Sequence, residues 1–157
     1  MAAKPLISDE LAAFLESGLS ITVGTRDGQL NSDSARAWAV RIHDDRARLT
    51  AFLHSKAATA ILRNLAAHPE IALAFDRPVD NRACQVKGLY ESSRRARPGE
   101  RELVERQVDG FLSQLERLGI PRAMTAGWKV WPCVAIRLRV TQLFEQTPGP
   151  GAGEPLR

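Results

Sequence analysis

The chain has 157 residues, of which 44% are hydrophobic and 25% are charged, and it carries a net charge of +4 with a sequence pI near 9.6. These proportions are typical of a soluble globular protein, and the length suits one domain that buries its own core. No run is apolar for long enough to cross a membrane, and residues 1–5 lack the apolar core of a signal peptide. We therefore expect a cytoplasmic protein with no membrane partner.

Cys84 and Cys133 are the two cysteines, and they lie far apart in strand-like segments without forming a CxxC pair. Metal sites and disulfide frameworks usually show closer or more regular cysteine spacing. We predict two buried thiols in a protein of a reducing compartment.

Positive charge is densest at Arg94-Arg95-Ala96-Arg97, in a segment that runs to Pro98-Gly99. Such a cluster can contact nucleic-acid phosphates. However, acidic residues follow at once, and no aromatic residue interleaves with the arginines to stack on bases. The pattern favours a solvated loop and predicts no nucleic-acid partner.

Hydrophobic periodicity divides the chain into helices and strands, and turn signals such as Asp27-Gly28 separate the strands. Within the second strand, Trp38, Val40 and Ile42 are predicted to share one face, and the third strand is predicted to be half-buried. In chain order, we predict a helix from Ser8 to about Ser17, strands at Leu19–Val23, Arg36–Ile42 and Arg46–His54, a helix from Ala58 that closes between Asn64 and Pro69, strands at Glu70–Phe75 and Arg82–Glu91, a helix at Pro98–Leu118 and a strand at Val134–Thr141.

These six strands are joined mostly by short turns, and only two helices interrupt them. A doubly wound parallel sheet would need a helix after nearly every strand. The pattern therefore predicts an α+β protein, a six-stranded antiparallel split β-barrel with flanking helices. Residues 1–146 are assigned to this domain, and residues 147–157, rich in proline and glycine, to a flexible tail.

Ser55 and Lys56 lie where the third strand turns directly into a helix. The free N–H groups and positive dipole end of a helix N-terminus favour an anion, so the pair suggests a phosphate site. The alternative is that Ser55 is an ordinary N-cap and Lys56 a solvated charge.

The order of these segments, with Arg36-Ala37-Trp38 opening one strand and Gln85-Val86-Lys87-Gly88 in another, resembles the pyridoxamine 5′-phosphate oxidase-like family of FMN-binding split barrels. The resemblance covers roughly residues 10–145. It implies FMN as cofactor, a homodimer and a small-molecule redox substrate. The cofactor-binding residues that it implies are Arg36, Ala37, Trp38, Thr50, Phe52, Ser55, Lys56, Gln85 and Trp128.

The resemblance assigns the flavin phosphate to Arg36, Ser55 and Lys56, and the flavin ring to Gln85. Where the family commonly has Gln-Val-Arg before a glycine, this chain has Lys87 and an early Gly88. Each residue also has a simpler interpretation. Arg36 can be an exposed strand-end charge, Gln85 can face solvent, and Trp128 can anchor a dimer interface together with Trp131.

The leading hypothesis is an FMN-dependent oxidoreductase of unknown substrate, because the flavin itself would supply the redox chemistry. Pyridoxamine phosphate oxidation is not expected, since the Arg-Leu-x-Pro ending of the true oxidases is absent. A non-enzymatic flavin carrier or sensor, a haem protein with His54 as axial ligand, and a deazaflavin-dependent reductase are the alternatives. No paired histidine motif predicts a metal site, and no catalytic residue is assigned.

Overall fold

The computed structural model describes residues 7–156. It contains six strands, three α-helices and two short 3₁₀ turns, at Pro98–Glu100 and Arg122–Met124. The elements in chain order are α1 (Asp9–Leu15), β1 (Ser20–Arg26), β2 (Ser32–Ile42), β3 (Arg48–His54), α2 (Ala58–Ala67), β4 (Glu70–Arg77), β5 (Arg82–Arg95), α3 (Arg101–Arg117) and β6 (Cys133–Glu145).

The six strands close into one antiparallel barrel in the order β1-β2-β3-β6-β5-β4. Alternate residues of each strand point inwards, among them Ile21, Leu73 and Leu138, and α1 and α2 contribute apolar side chains to the same core. The prediction of a six-stranded antiparallel α+β split barrel is confirmed. Both cysteines are buried and free, as predicted.

A bulge in β2 reverses which side chains face the core. Ala37 pairs with Leu53 and Ala39 pairs with Phe52, so the register shifts by one residue between them. As a result, Val40 and Ile42 point into the barrel, whereas Trp38 and Ala39 lie outside it. The prediction that Trp38, Val40 and Ile42 share a face is therefore wrong.

Helix α3 covers the outer face of β2, β3 and β6. It brings Val104 and Val108 onto Phe52 and Trp38, which form a second apolar cluster outside the barrel. Burial on both sides explains why β3 is covered along nearly its whole length and not half-buried as predicted. Gly18, at φ +88°, allows the close approach of α3, since a Cβ there would lie 2.5 Å from the carbonyl oxygen of Gln107.

Side chains from the helices complete the edge of β2 where β1 no longer pairs with it. The β1–β2 ladder ends at Ile21 and Ala37. Beyond that point, the Val40 N–H donates to Oε1 of Gln107 at 3.0 Å, and Nε2 of Gln107 donates to the Val40 carbonyl at 2.7 Å. The Ile42 N–H donates to Oε1 of Glu16 at 2.6 Å. The backbone N–H and carbonyl groups at this buried edge of β2 are thus hydrogen-bonded without another strand.

Strand β5 is longer than the sequence predicts, and the segment after β6 makes backbone hydrogen bonds with β6. Strand β5 continues to Arg95, so Arg94 and Arg95 are strand residues paired with β6 and do not lie in a loop. Residues 147–156, expected to form a flexible tail, turn back along the end of β6, where the Leu156 N–H donates to the Leu143 carbonyl at 2.9 Å. Within residues 7–156, no helix has the length and apolar character that crossing a membrane requires.

Candidate functional site

The side chain of Arg36 lies among three aromatic rings on the outer face of the barrel. Its guanidinium carbon is 5.6 Å from the ring centroid of Trp38, 5.3 Å from Phe111 and 5.7 Å from Trp128. These distances are within the range of cation–π attraction. Strand β2 supplies Arg36 and Trp38, α3 supplies Phe111, and the segment before β6 supplies Trp128.

Arg36 carries a positive charge that the described residues leave without a counter-ion. Among residues 7–156, its side chain makes one hydrogen bond, from Nη1 to the Ser20 hydroxyl at 3.3 Å, and it takes part in no ion pair. Burial lowers the pKa of the guanidinium from its ordinary value, because desolvation penalises the charged form. The remaining N–H donors favour an anion at this position.

The structure shows the surroundings of Ser55 and Lys56, for which the resemblance predicts a phosphate site. The Ser55 hydroxyl and N–H both donate to the Pro132 carbonyl, at 3.1 and 2.9 Å. The N-cap of α2 is Ala57, without a side-chain hydrogen bond, so the alternative that Ser55 is the N-cap is wrong. Lys56 is exposed, and its N–H donates to Nδ1 of His54 at 3.3 Å.

Three other predicted residues have side chains with little access from solvent. Ala37 points into the barrel core. Phe52 is fully buried beneath α3. Thr50 is buried on the outer face, with its hydroxyl 2.8 Å from Nε2 of His43. Burial lowers the pKa of His43, which favours the neutral ring beside Thr50.

Gln85 lies on the same cross-strand row as Arg36. Arg36 pairs with Thr22, Thr22 with Ala74, and Ala74 with Gln85. Three strand spacings separate the two ends of this row, which is roughly 14 Å measured along the curved sheet, because β2 and β5 lie on opposite sides of the barrel. Thr22 and Ala74 are small and exposed, so the row between Arg36 and Gln85 is open to solvent.

The neighbouring cross-strand row also has small side chains on β1 and β4. Gly24 pairs with Ala72, and Ala72 with Lys87. A Cβ added to Gly24 would meet no atom within 4 Å, so nothing in the described chain covers this position. The groove around Gly24, Ala72 and Lys87 has a volume of about 400 Å³. Lys87 lies at its edge with its ammonium 5.1 Å from the ring centroid of Phe144. We refer to Thr22, Gly24, Ala72 and Ala74 as the small-residue strip.

The remaining chemistry-bearing residues form no metal cluster. Within residues 7–156, no group of three or more His, Cys, Asp or Glu side chains is arranged to hold a metal ion. Burial raises the pKa of both Cys84 and Cys133 to about 12, so neither thiol is a reactive thiolate at neutral pH.

Sequence reasoning missed two residues that contact the Arg36 side chain, Ser20 and Phe111. Phe111 belongs to an apolar helical stripe, which predicts core packing and carries no information about a cation. Ser20 meets Arg36 only through the β1–β2 pairing. The spacing of residues in the sequence therefore could not predict that aromatic side chains surround the Arg36 guanidinium.

No protein-family model and no curated protein sequence matches the chain. Solved structures do resemble it. HupZ from Group A Streptococcus is 18% identical, covers 94% of this chain and 99% of its own, and has a TM-score of 0.54. An F420 reductase is 17% identical, with coverages of 87% and 98% and a TM-score of 0.56.

A pyridoxamine 5′-phosphate oxidase candidate from Lactobacillus delbrueckii is 12% identical to the chain. It covers 88% of this chain and 93% of its own, with a TM-score of 0.54. At such low identities these likenesses establish architecture and do not transfer a ligand or an activity. Together with the closed six-stranded topology, they identify the chain as a split β-barrel of the pyridoxamine 5′-phosphate oxidase-like fold.

Proposed function

We propose that the protein binds FMN and uses it in redox chemistry on a small-molecule substrate. The observation that carries the proposal is Arg36, a partly buried cation without a carboxylate partner among residues 7–156, held at the edge of an open sheet face. A charge in this environment is stabilised by an anionic ligand. The dianionic phosphate of FMN meets that requirement, and riboflavin does not.

The residues present fit a planar ring system as well as a phosphate. The small-residue strip offers an open surface on two adjacent strands, β1 and β4, which lie between the strand of Arg36 and the strand of Gln85. Gln85 is the polar side chain at its far end and can donate or accept a hydrogen bond at a ring heteroatom. Larger side chains at Gly24 or Ala74 would obstruct this surface.

FMN, when bound, supplies hydride and electron transfer, which the protein side chains cannot. The role of Arg36 is to hold the phosphate, with Trp38 and Trp128 fixing the guanidinium plane. Gln85 orients the ring. Glu70 and Lys87 line the groove beside this strip, and Glu70 is paired with Arg26, so we assign no residue to proton transfer.

We further propose that a second copy of the chain covers the segment that carries Trp128. Among residues 7–156, four of the five exposed large hydrophobic residues lie within residues 118–128, with exposures of 51% for Leu118, 36% for Ile120, 71% for Met124 and 41% for Trp128. Several exposed apolar side chains within one short segment are typical of a protein interface. Light scattering should give the mass of a homodimer at micromolar concentration, and a monomer that binds FMN normally would contradict it.

The central experiment compares FMN with riboflavin on the cofactor-free protein, by quenching of flavin fluorescence. Arg36→Gln should weaken FMN by roughly 10- to 100-fold, since a charge-assisted hydrogen bond is worth about 1.5–3 kcal/mol, and should change riboflavin much less. Lys56→Gln tests the phosphate site that the sequence predicts. Arg106→Gln, on the exposed face of α3, is the control.

The proposal fails if wild-type protein binds neither flavin, or if Arg36→Gln and Arg106→Gln behave alike. A selective loss of FMN in Lys56→Gln alone would move the phosphate to the start of α2. The visible spectrum of the purified protein decides between flavin and haem, because His54 is the axial ligand that the haem alternative requires.

A further inference from the structure

A cleft of about 530 Å³ opens where the start of β6 meets the ends of β3 and β5. It lies at the β3–β6 junction, on the opposite side of the barrel from the small-residue strip on β1 and β4, and shares none of the strip's residues. Its volume is within the range of small-molecule sites and far exceeds that of a single inorganic anion. The side chains that define it are Ser55, Arg95, Ala96, Trp131, Pro132 and Val134.

The walls of this cleft are apolar because their backbone polar groups are already paired. The Pro132 carbonyl accepts from both the N–H and the hydroxyl of Ser55. The Ala96 N–H donates to the Cys133 carbonyl at 2.9 Å. What remains facing the cleft is chiefly hydrocarbon and an indole ring, which favours an apolar ligand body.

Arg95 is the charged residue of the cleft, and no acidic residue lines it. Its neighbour Arg94 is neutralised by Glu100 through two hydrogen bonds of 2.8 and 2.7 Å. By contrast, none of the ion pairs among residues 7–156 includes Arg95. The cleft therefore selects an anion and disfavours a cation.

Trp131 supplies the flat wall. Its indole is half-buried and packs against the apolar cluster beneath α3, so the ring is held in place. The guanidinium of Arg101 lies 5.9 Å from the ring centroid, on the side of α3. A rigid indole bordering an apolar cleft is a favourable stacking surface for a planar ring.

We propose that this cleft is a binding site for a planar aromatic monocarboxylate, with the carboxylate on Arg95 and the ring against Trp131. The three features fit one class of ligand: a single cation, an aromatic wall and an apolar remainder. A sugar phosphate would leave the apolar walls unused, and a neutral aromatic would leave Arg95 unpaired. The site does not depend on flavin binding.

The test is calorimetric titration of the full-length protein with 2-naphthoate, and with 2-naphthylmethanol as the neutral analogue. Wild-type protein should bind 2-naphthoate at least tenfold more tightly than the alcohol, because the charge-assisted contact exists for the acid alone. Arg95→Gln should remove that preference, and Trp131→Leu should weaken both ligands. Arg95 is exposed, so its substitution leaves the fold intact; Arg106→Gln is the matched control.

The proposal is overturned if wild-type protein gives no heat with 2-naphthoate at millimolar concentration, or if Arg95→Gln binds it as well as Arg106→Gln. Displacement of 2-naphthoate by FMN would also overturn it, since the cleft would then belong to the cofactor site. Because these titrations use cofactor-free protein, a failure of FMN binding leaves their outcome unchanged.

Discussion

The guanidinium of Arg36 lies 5.7 Å from the ring of Trp128, although the two residues are 92 positions apart in the chain and belong to different layers. Trp128 also lies 5.7 Å from Trp38 and 6.3 Å from Phe111, centroid to centroid. The segment before β6 thus closes over the cation that β2 presents. This contact links the position of the Trp128 segment to whether an anion is bound at Arg36.

Replacing Trp128 with leucine should weaken FMN binding by roughly 1 kcal/mol, about fivefold, because Arg36 loses one of its cation–π partners. The free energy of unfolding in urea should fall by less than about 1 kcal/mol, since Trp128 is 41% exposed. Fluorescence titration measures the first effect. Trp131→Leu is the control, and an equal loss of FMN affinity in both variants would remove Trp128 from the site.

Gln107→Leu should destabilise the fold by about 2–4 kcal/mol. The side chain is buried and makes two hydrogen bonds to Val40, so its removal leaves a backbone N–H and a carbonyl unpaired in the interior. Urea unfolding followed by circular dichroism measures the change. The exposed Gln142→Leu should change stability by less than about 0.5 kcal/mol. Similar values for the two variants would show that water replaces the Gln107 amide.

Glu100 should make the stability of the protein depend on pH. Hydrogen bonds from Arg94 lower the pKa of its buried carboxyl from 4.5 to about 2, and the Arg97 N–H and Arg41 add to the effect. A folded-state pKa below the unfolded value means that the stabilisation is present above about pH 4.5 and is lost as the pH falls towards 2.

The stability difference between wild type and Glu100→Gln should therefore shrink by about 2 kcal/mol between pH 7 and pH 3. Urea unfolding at both pH values measures it, with the exposed Glu102→Gln as control. A difference that stays constant with pH would mean that the carboxyl is not held as an anion in the folded protein.

A redox enzyme of this kind should accept electrons from a nicotinamide. Anaerobic mixing of the FMN-loaded protein with NADH or NADPH should bleach the flavin absorbance at a rate that saturates with donor concentration, since a donor must bind before transfer. Stopped-flow absorbance measures the rate. Reduction no faster than that of free FMN by every donor tried would favour a flavin carrier or sensor.

Much of the barrel was predictable because each strand has a local pattern. Ile21 and Val23 alternate with small or polar residues, and Asp27-Gly28 marks the turn that follows. These signals depend on residues close in sequence. The β2 bulge has no such local signal, because it depends on how Trp38 and Ala39 fit beneath α3. The face of Trp38 was therefore predicted wrongly.

The candidate site was less predictable for the same reason. Ser55 carries a local helix-start signal, yet its hydroxyl is bound by Pro132, 77 residues later. Arg94 and Arg95 look like a solvated run, but Glu100 neutralises one of them and pairing with β6 makes both part of a strand. The Ser55–Pro132 hydrogen bond and the β5–β6 pairing join residues far apart in the chain, and neither produces a periodic pattern in the sequence.

The two hydrogen bonds between Gln107 and Val40 also bear on how the chain avoids self-association during folding. Until α3 docks, the outer half of β2 presents an unpaired N–H and carbonyl beside apolar side chains, which is a template for pairing with another chain. Helix α3 follows β5 in the sequence, so this edge stays open while the first five strands are made. A nascent chain that stops before Pro98 should therefore aggregate. In the complete chain, α3 covers that edge of β2 and prevents its pairing with another chain.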